Sequence, residues 1–252
     1  MRLVTCFQFF LIAACLPSLS AQPFSKADLQ TLFTDPAAIA TKIKQAPTLD
    51  RSLKEEAWKA ADVLKLGFSD ANTPGTPKNW TNVRLVSDAQ ALYVSFDCRE
   101  VGSIITRASS PENVPADDHV MLLLPTDGRD AFVHIKVNSR GIVWSSKHEG
   151  LDPKKKGKTL SIEGLEASAR RYPGRWAAEV KVPFAGLFAD LKKMPTIWKA
   201  NFARKRHSKL WSSVKPTDIG YANWTLSWKT TMNLAVFKPD PDLFGVVYLA
   251  AG

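Results

Sequence analysis

Hydrophobic and polar positions alternate in short runs along most of the chain. The runs cover residues 91–98, 119–125, 132–137, 176–184, 198–204 and 244–249, and polar, glycine or proline residues close each one. Alternation with a period of two, bounded by turn residues, is typical of half-buried β-strands. Helical patterns of core-forming length are scarce between the runs. The pattern therefore predicts an all-β protein, an antiparallel β-sandwich in one domain.

The first 21 residues have the pattern of a secretory signal peptide. Arg2 is followed by an apolar run, then by Pro17 and small residues that end at Ala21. We expect cleavage near Ala21 and an exported protein, periplasmic or extracellular. Residues 12–15 also resemble a bacterial lipoprotein box, so a second interpretation is a lipid anchor at Cys15. No internal apolar stretch reaches the roughly 20 residues that a membrane-spanning helix needs.

Residues 22–46 are predicted to form a short helical extension or spacer before the sandwich. Ser25 can cap a helix whose apolar residues recur at helical spacing through Phe33. Pro36 breaks this pattern, and a second short helix is expected to follow it. Pro47 then marks the start of the sandwich domain, residues 47–252.

The charge balance is strongly basic. The 34 basic and 24 acidic residues give a net charge of +10, which becomes +9 when Arg2 leaves with the leader, since 33 − 24 = 9. Basic excess suits nucleic acids, anionic surfaces or acidic polymers. Export argues against nucleic acid, and an acidic polysaccharide stays compatible with the charge. The densest basic run, residues 154–158, is interpreted as a solvated loop.

Several short motifs follow one another in the order found in a known family. The first, residues 50–58, is an Asp, a Leu three residues later and then Glu-x-x-Trp. The others are a hairpin with an Asp-containing turn (81–94), an Asp-Asp strand start (117–120), a strand ending in Asn-x-x-Gly (132–141), Trp-x-x-Glu-Val-x-Val-Pro-Phe (176–184), Trp-x-x-Asn-Phe-x-Arg (198–204) and Phe-Gly (244–245). Together they resemble family 9 carbohydrate-binding modules and their relatives over residues 49–249. Arg51 departs from the family, which usually has Gly after the Asp.

The resemblance implies a jelly-roll-like antiparallel sandwich that binds polysaccharide or oligosaccharide without transforming it. Such modules are often attached to, or encoded beside, a glycoside hydrolase, so we expect a role in polysaccharide degradation. Some members hold structural calcium, and in related modules two tryptophans sandwich a sugar. A pyranose packs its C–H face on an aromatic plane, while polar side chains bond the hydroxyls that burial would leave unpaired.

The eight tryptophans divide by their neighbours. Trp58, Trp176 and Trp198 share a face with apolar residues and are predicted to lie in the core, while Trp144 stays undecided. The remaining four lie among polar residues and are predicted to be exposed sugar platforms: Trp80, Trp211, Trp224 and Trp228.

Polar candidates come from the same alternation. Arg84 and Asn201 project opposite the apolar face of their strands and are predicted to contact sugar. Arg204 shares the parity of Phe202, so it either lines a cleft and contacts sugar or fixes charge at the end of the core.

Two other classes of function remain open. A glycan-active hydrolase needs two carboxylates that face each other across a sugar. Asp117 and Asp118 are adjacent on a strand and point to opposite faces, so we expect turn hydrogen bonding or calcium ligation instead. A haem-binding electron-transfer domain of the related sandwich type is the other alternative. His119 and Met121 share one face, so they cannot ligate opposite sides of one haem.

Overall fold

The structure is a computed structural model that describes residue 27 and residues 36–66, 68–69, 73–74, 79–100, 102–128, 131–149, 157–207, 219–223 and 244–249. The predicted leader, most of the helix before Pro36, and Trp211, Trp224 and Trp228 lie outside these residues. Among the described residues, no helix is long and apolar enough to span a membrane.

Strands dominate the described chain. They are β1 Ala37–Lys42, β2 Leu64–Lys65, β3 Phe68–Ser69, β4 Thr73–Pro74, β5 Thr81–Ser87, β6 Ala91–Arg99, β7 His119–Pro125, β8 Phe132–Asn138, β9 Val143–His148, β10 Lys158–Thr159, β11 Glu166–Tyr172, β12 Arg175–Pro183, β13 Ile197–His207, β14 Ile219–Asn223 and β15 Gly245–Leu249. One short helix, α1, covers Glu56–Ala60, and 3-10 turns cover Pro111–Ala116, Phe184–Gly186 and Leu191–Lys193. Each predicted strand is present within three residues of its expected bounds, the largest difference being at the end of β13, and the all-β fold class is confirmed.

The strands form two layers that are joined into one curled sheet. The front layer runs β10-β9-β8-β7-β13 and continues through β14 to β3 and β4. The back layer runs β11-β12-β6-β5, with β2 at its edge. β15 and β1 connect the layers, because β13 pairs with β15, β15 with β1 and β1 with β5.

The segment after Pro36 is a strand, so the prediction of a second short helix there is wrong. β1 pairs in parallel with β15 through residues 37–40 and with β5 through residues 41–42. Its residues Ala37, Ala38 and Ala40 are buried in the sheet. Alanine favours helices in isolation, but two flanking strands that would otherwise expose unpaired backbone groups outweigh that preference. The sheet therefore begins before Pro47.

The main core lies between the two layers. Alternate residues of every long strand point into it, among them Leu122 and Ile135 from the front layer and Val94 and Val180 from the back layer. Trp58, Trp176 and Trp198 are buried as predicted, each at most 1% exposed.

A buried ion pair ties the layers together at one end of this core. Arg204 of β13 is fully buried, and its guanidinium donates to Glu100 Oε2 at 2.6 Å and to the Arg99 carbonyl at 2.7 Å. Arg206 donates to both oxygens of the same carboxylate. Burial alone would raise the pKa of Glu100, but these arginines lower it overall. Of the two roles predicted for Arg204, the structure supports the second, in which Arg204 fixes charge at the end of the core.

We predict that Glu100→Gln lowers the free energy of unfolding by about 3–5 kcal/mol, because it leaves the buried Arg204 without a counter-charge. Urea unfolding followed by tryptophan fluorescence measures this. The matched control is Glu166→Gln, which breaks a surface pair with Lys181 and should cost at most about 1 kcal/mol. Equal effects in the two variants would show that the Glu100 pair does not hold the layers together.

Candidate functional site

One side of the front layer points away from the core and is rich in polar and aromatic residues. The core takes Val120 and Leu122 of β7 and Val133 and Ile135 of β8, so the residues between them point outward. Strand pairing places the outward residues of β9, β8, β7 and β13 in rows across the sheet. We call this set the front face: His119, Met121, Leu123, Phe132, His134, Lys136, Trp144, Ser146, His148, Asn201, Ala203 and Lys205.

An indole, an ammonium and an imidazole meet in the middle of the front face. Lys136 lies opposite Trp144 in the strand pairing, and its Nζ is 4.5 Å from the centre of the indole ring. The His134 ring meets the same indole edge-on, with 5.8 Å between ring centres. Trp144 and Lys136 are half-buried, whereas His134 is almost fully buried. The indole is thus half-buried and is held from two sides by these contacts.

Polar groups surround this platform in the neighbouring rows. Asn201 lies in the row of His134, two strands away, and its Oδ1 accepts from the Phe202 backbone N–H at 2.8 Å. The His148 ring stacks on Phe132 at 4.6 Å, and its Nε2 lies 3.0 Å from the Ser146 hydroxyl. Hydrogen-bonding groups thus lie beside an aromatic surface, with Asn201 and Ser146 fully buried and His148 half-buried.

Burial sets the charges of the front face. It lowers the pKa of His134 well below its ordinary value and also lowers that of His148, so both imidazoles are neutral near pH 7. Burial, with a smaller effect of Lys205, lowers the pKa of Lys136 to about 8. The positive charge of the face therefore resides on its lysines, while the histidines donate and accept hydrogen bonds.

The predicted sugar-contact residues do not all come together. Asn201 lies on the side of the front layer that points away from the main core, but it is fully buried. Trp80 precedes β5 and Arg84 lies within β5, both in the back layer. The core separates these two half-buried residues from Asn201. Arg204 is sealed in the core by Glu100, so its assignment as a sugar contact is wrong.

Most residues of the front face are not among the predicted sugar contacts, although the sequence carries a signal for them. In residues 132–137 the apolar Val133 and Ile135 alternate with His134 and Lys136, so both polar side chains had to share one outward face. The position of Trp144 is not predicted by its own segment, because the register of β9 against β8 cannot be derived from the residues of β9 alone. Register is fixed by long-range pairing.

Asp117 and Asp118 hold a loop against the start of β7. The Asp117 carboxylate accepts from the backbone N–H groups of Arg107 and Ala108 and from the Asn138 side chain. Asp118 Oδ2 accepts from the Ile105 backbone N–H at 3.0 Å. Both residues are fully buried and serve in turn hydrogen bonding, one of the two expected roles.

A second cluster of charged groups lies on the outer side of the back layer. The carboxylates of Asp50, Glu55 and Glu179 have oxygens within 4.8 Å of one another. Glu179 is fully buried, which corrects the expectation of a surface or groove position. Its oxygens accept from the Trp58 indole at 2.8 Å and from the Arg51 backbone N–H. The cluster thus fastens the segment that leads into α1 onto the sheet.

The departure of Arg51 from the family pattern has a conformational meaning. Its φ is +71°, in the left-handed region that glycine adopts freely and other residues adopt at a cost of roughly 1–2 kcal/mol. The conformation lets its N–H reach Glu179, and its carbonyl accepts from the Tyr172 hydroxyl at 2.7 Å. These two hydrogen bonds stabilise the left-handed conformation of Arg51, at a position where members of the family usually have glycine.

Neither the calcium expectation nor the hydrolase alternative fits this cluster well. Calcium prefers carboxylate oxygens, but both oxygens of Glu179 already face N–H donors, so we assign no calcium ligand here. A glycosidase pair must flank an open cleft, whereas Glu179 is sealed beneath Trp58. The haem alternative meets a similar obstacle, because His119 and Met121 lie side by side on the front face, as their spacing predicts.

Glu179 predicts a pH dependence of stability. Burial, reinforced by Asp50 and Glu55, raises its pKa from 4.5 to about 7 against the opposing hydrogen bonds. Its contribution to stability is therefore full below pH 4.5 and is lost as the pH rises through about 7, a change of about 3 kcal/mol. Urea unfolding across this range should show the loss in the wild type and not in Glu179→Gln. If the wild type and Glu179→Gln showed the same dependence of stability on pH, the predicted role of Glu179 would be contradicted. Glu166→Gln is the control, because it changes an exposed carboxylate.

Comparisons with known proteins find the same fold in structures of low sequence identity. A family 9 carbohydrate-binding module from Caldicellulosiruptor kristjanssonii in complex with cellotriose has a TM-score of 0.57 and 16% identity over 86% of this chain and 94% of its own. The same module type with glucose gives 0.59 and 17%, over 86% and 96%. A protein from Bacteroides uniformis that is proposed to bind carbohydrate gives 0.61 and 13%, over 84% and 98%.

No family model and no curated protein matches the sequence. The expected resemblance is therefore confirmed at the level of architecture: the chain has the fold of family 9 carbohydrate-binding modules.

Proposed function

We propose that this protein binds carbohydrate at its front face and does not transform it. The observation that carries the proposal is the half-buried indole of Trp144, which is framed by Lys136, His134 and the polar row of Asn201. The shared fold supports it, since modules of this architecture hold cellotriose and glucose. The two observations are independent, because the first concerns side chains and the second concerns the backbone.

Each part of a sugar has a counterpart on this face. The C–H groups of a pyranose pack on the Trp144 ring, and the hydroxyls exchange hydrogen bonds with the half-buried groups beside it, the Lys136 ammonium and the His148 imidazole. Met121 and Ala203 continue the row of Trp144 and are fully buried. A sugar that packs on the indole needs partners for its hydroxyls, and these two polar groups provide them.

We also propose the cellular setting that the sequence favours. The protein is exported through its N-terminal leader and supports polysaccharide degradation by holding a glycan near a glycoside hydrolase. A lipid anchor at Cys15 is the alternative route to the cell surface. The leader pattern and the basic charge support this setting.

We predict that Trp144→Ala lowers affinity for cello-oligosaccharides by at least about tenfold, because it removes the stacking surface. Isothermal titration with cellotriose and a glycan array measure this. Trp80→Ala is the matched control, since it deletes a half-buried indole in the back layer and should leave binding unchanged. Trp211→Ala and Trp224→Ala on the same array test the two predicted platforms outside the described residues. Unchanged binding in Trp144→Ala would overturn the assignment of the front face.

A further inference from the structure

Residues 50–61 cover one end of the outer side of the back layer. Trp58 packs there on Val86 and Tyr93 and donates to Glu179. Strand pairing places two more rows of outward side chains on the same side of the layer, next to this cover. We call six of these residues the basic rows: Trp80, Arg99, Arg175 and Tyr172 lie in the first row, and Asp97 and Arg170 lie in the second.

The basic rows are accessible from solvent. Arg99 and Arg170 are exposed, the Arg175 side chain is 34% exposed, and the other three members are half-buried. Within the two rows only the small Ala177, between Arg170 and Asp97, is buried. Neighbouring strands lie about 4.8 Å apart, so the first row, which crosses β11, β12, β6 and the residue before β5, is roughly 14 Å long. An extended ligand can therefore contact several of these side chains at once.

Cations dominate the basic rows. Three arginines face one carboxylate, a net charge of +2 since 3 − 1 = 2, and the exposed Lys65 extends the second row across β5 to β2. Asp97 is paired with Arg175 at 2.9 Å. Among the described residues, no carboxylate lies within ion-pair distance of Arg99 or Arg170. Their charges are therefore available to an anionic ligand.

The carboxylates beside the basic rows already accept hydrogen bonds. Both oxygens of Glu179 face N–H donors, as described above. Asp50 accepts from the Ser52 backbone N–H at 2.7 Å, and Glu55 accepts from the Thr48 backbone N–H at 2.9 Å. Donation from these groups offsets part of the negative charge that borders the basic rows.

Tyr172 holds two of the guanidiniums in place. The Cζ atoms of Arg175 and Arg170 lie 4.5 Å and 5.3 Å from the centre of its ring. The Tyr172 hydroxyl is itself fixed by donation to the Arg51 carbonyl at 2.7 Å. A guanidinium that is already held loses little side-chain freedom when it binds a ligand. The arginines are therefore prepared for an anion before it arrives.

The Trp80 indole lies at the other end of the first row. The Arg99 backbone N–H donates to the Trp80 carbonyl at 2.9 Å, which places these two residues opposite each other. In the described part of the chain the indole has no hydrogen bond or ring contact. An indole beside a guanidinium offers a plane for the C–H face of a sugar and a charge for its acidic group.

We infer that the basic rows form a second binding surface, which holds the carboxylate or sulfate groups of an acidic polysaccharide on Arg99, Arg170 and Arg175, with a sugar ring on Trp80. Guanidiniums pair with such oxyanions in bidentate hydrogen bonds, which are about twice as strong as neutral ones. The core separates this surface from the front face. The inference therefore goes beyond the proposed function and does not depend on it.

Two other anionic partners fit the basic rows less well. A single-stranded nucleic acid stacks its bases on several free aromatic rings, whereas two arginines already lie against Tyr172. A membrane surface takes up exposed apolar side chains beside the cations, whereas both aromatic residues here are half-buried. A polysaccharide needs only one stacking plane and a row of charges.

The test compares polymers with and without their charge. Isothermal titration at low and at physiological ionic strength uses polygalacturonate and its methyl ester, and dextran sulfate and dextran. We expect at least one of the two acidic polymers to bind at least about tenfold more tightly than its neutral counterpart, with an affinity that falls as salt is added. The polymer that shows this preference identifies the favoured acidic group as carboxylate or sulfate.

Arg99→Gln and Arg170→Gln should each lower affinity for the preferred acidic polymer by about tenfold, and Trp80→Ala should lower it as well. Arg171→Gln is the matched control, because Arg171 is an exposed arginine next to Arg170 on β11 whose side chain points to the other side of the layer, where it donates to Ser139 Oγ. This variant should bind the polymer nearly as well as the wild type. Urea unfolding checks that every variant is folded.

Equal binding of the charged and neutral polymers by the wild type, or an equal loss of binding in Arg170→Gln and Arg171→Gln, would overturn the inference. Tighter binding of single-stranded DNA or of phosphatidylglycerol vesicles, with the same dependence on Arg99 and Arg170, would overturn the assignment to a saccharide. Cellotriose binding should be unchanged in Arg99→Gln, and polymer binding should be unchanged in Trp144→Ala. These two measurements separate a failure of this surface from a failure of the front face.

Discussion

The ion pair between Arg204 and Glu100 is the constraint on which the rest of the structure depends. A guanidinium with no exposure to solvent must keep its partners, and these partners belong to β5, to the end of β6 and to the residue after it. β13 is thus fixed relative to the back layer at one point inside the core. The opposite side of β13 carries Asn201, Ala203 and Lys205 of the front face. Because side chains alternate along a strand, an interaction in the core sets the position of groups on the outer surface.

The front layer differs from an ordinary solvent-facing sheet. Every residue of β7 except the last is buried, and β8 is buried on both sides apart from Lys136. Strands that are covered on both faces read as nearly continuous apolar runs, as residues 119–125 do. Polar residues are therefore unusual in a layer that is covered on both faces. His119 and His134 are buried there, and Lys136 and Lys205 contact the Trp144 indole and the Pro115 carbonyl respectively.

The sequence was informative about elements and poor at relations between them. Alternation located the strands because each strand carries its own pattern, and the burial of Trp58, Trp176 and Trp198 followed from parity. The fate of Arg204 depended on Glu100, a residue 104 positions away in the chain, which no local pattern specifies. The prediction of a helix at β1 was wrong for the same reason. Its alanines form a strand because they pair with the distant strands β15 and β5. For the front face, alternation along each strand predicts which of its residues share a side. Which residues of different strands lie together depends on the register of four strands, and the sequence does not give this.

The position of β1 has a consequence for how the molecule is made. Ala37 of β1 pairs with Val246 of β15, which lies 209 residues later in the chain, since 246 − 37 = 209. The seam between the two layers therefore cannot close before β15 has been synthesised, and contacts of such large sequence separation are slow to form. Until β15 is in place, the apolar interior lacks one side, and the polypeptide must stay unassembled or be shielded from aggregation.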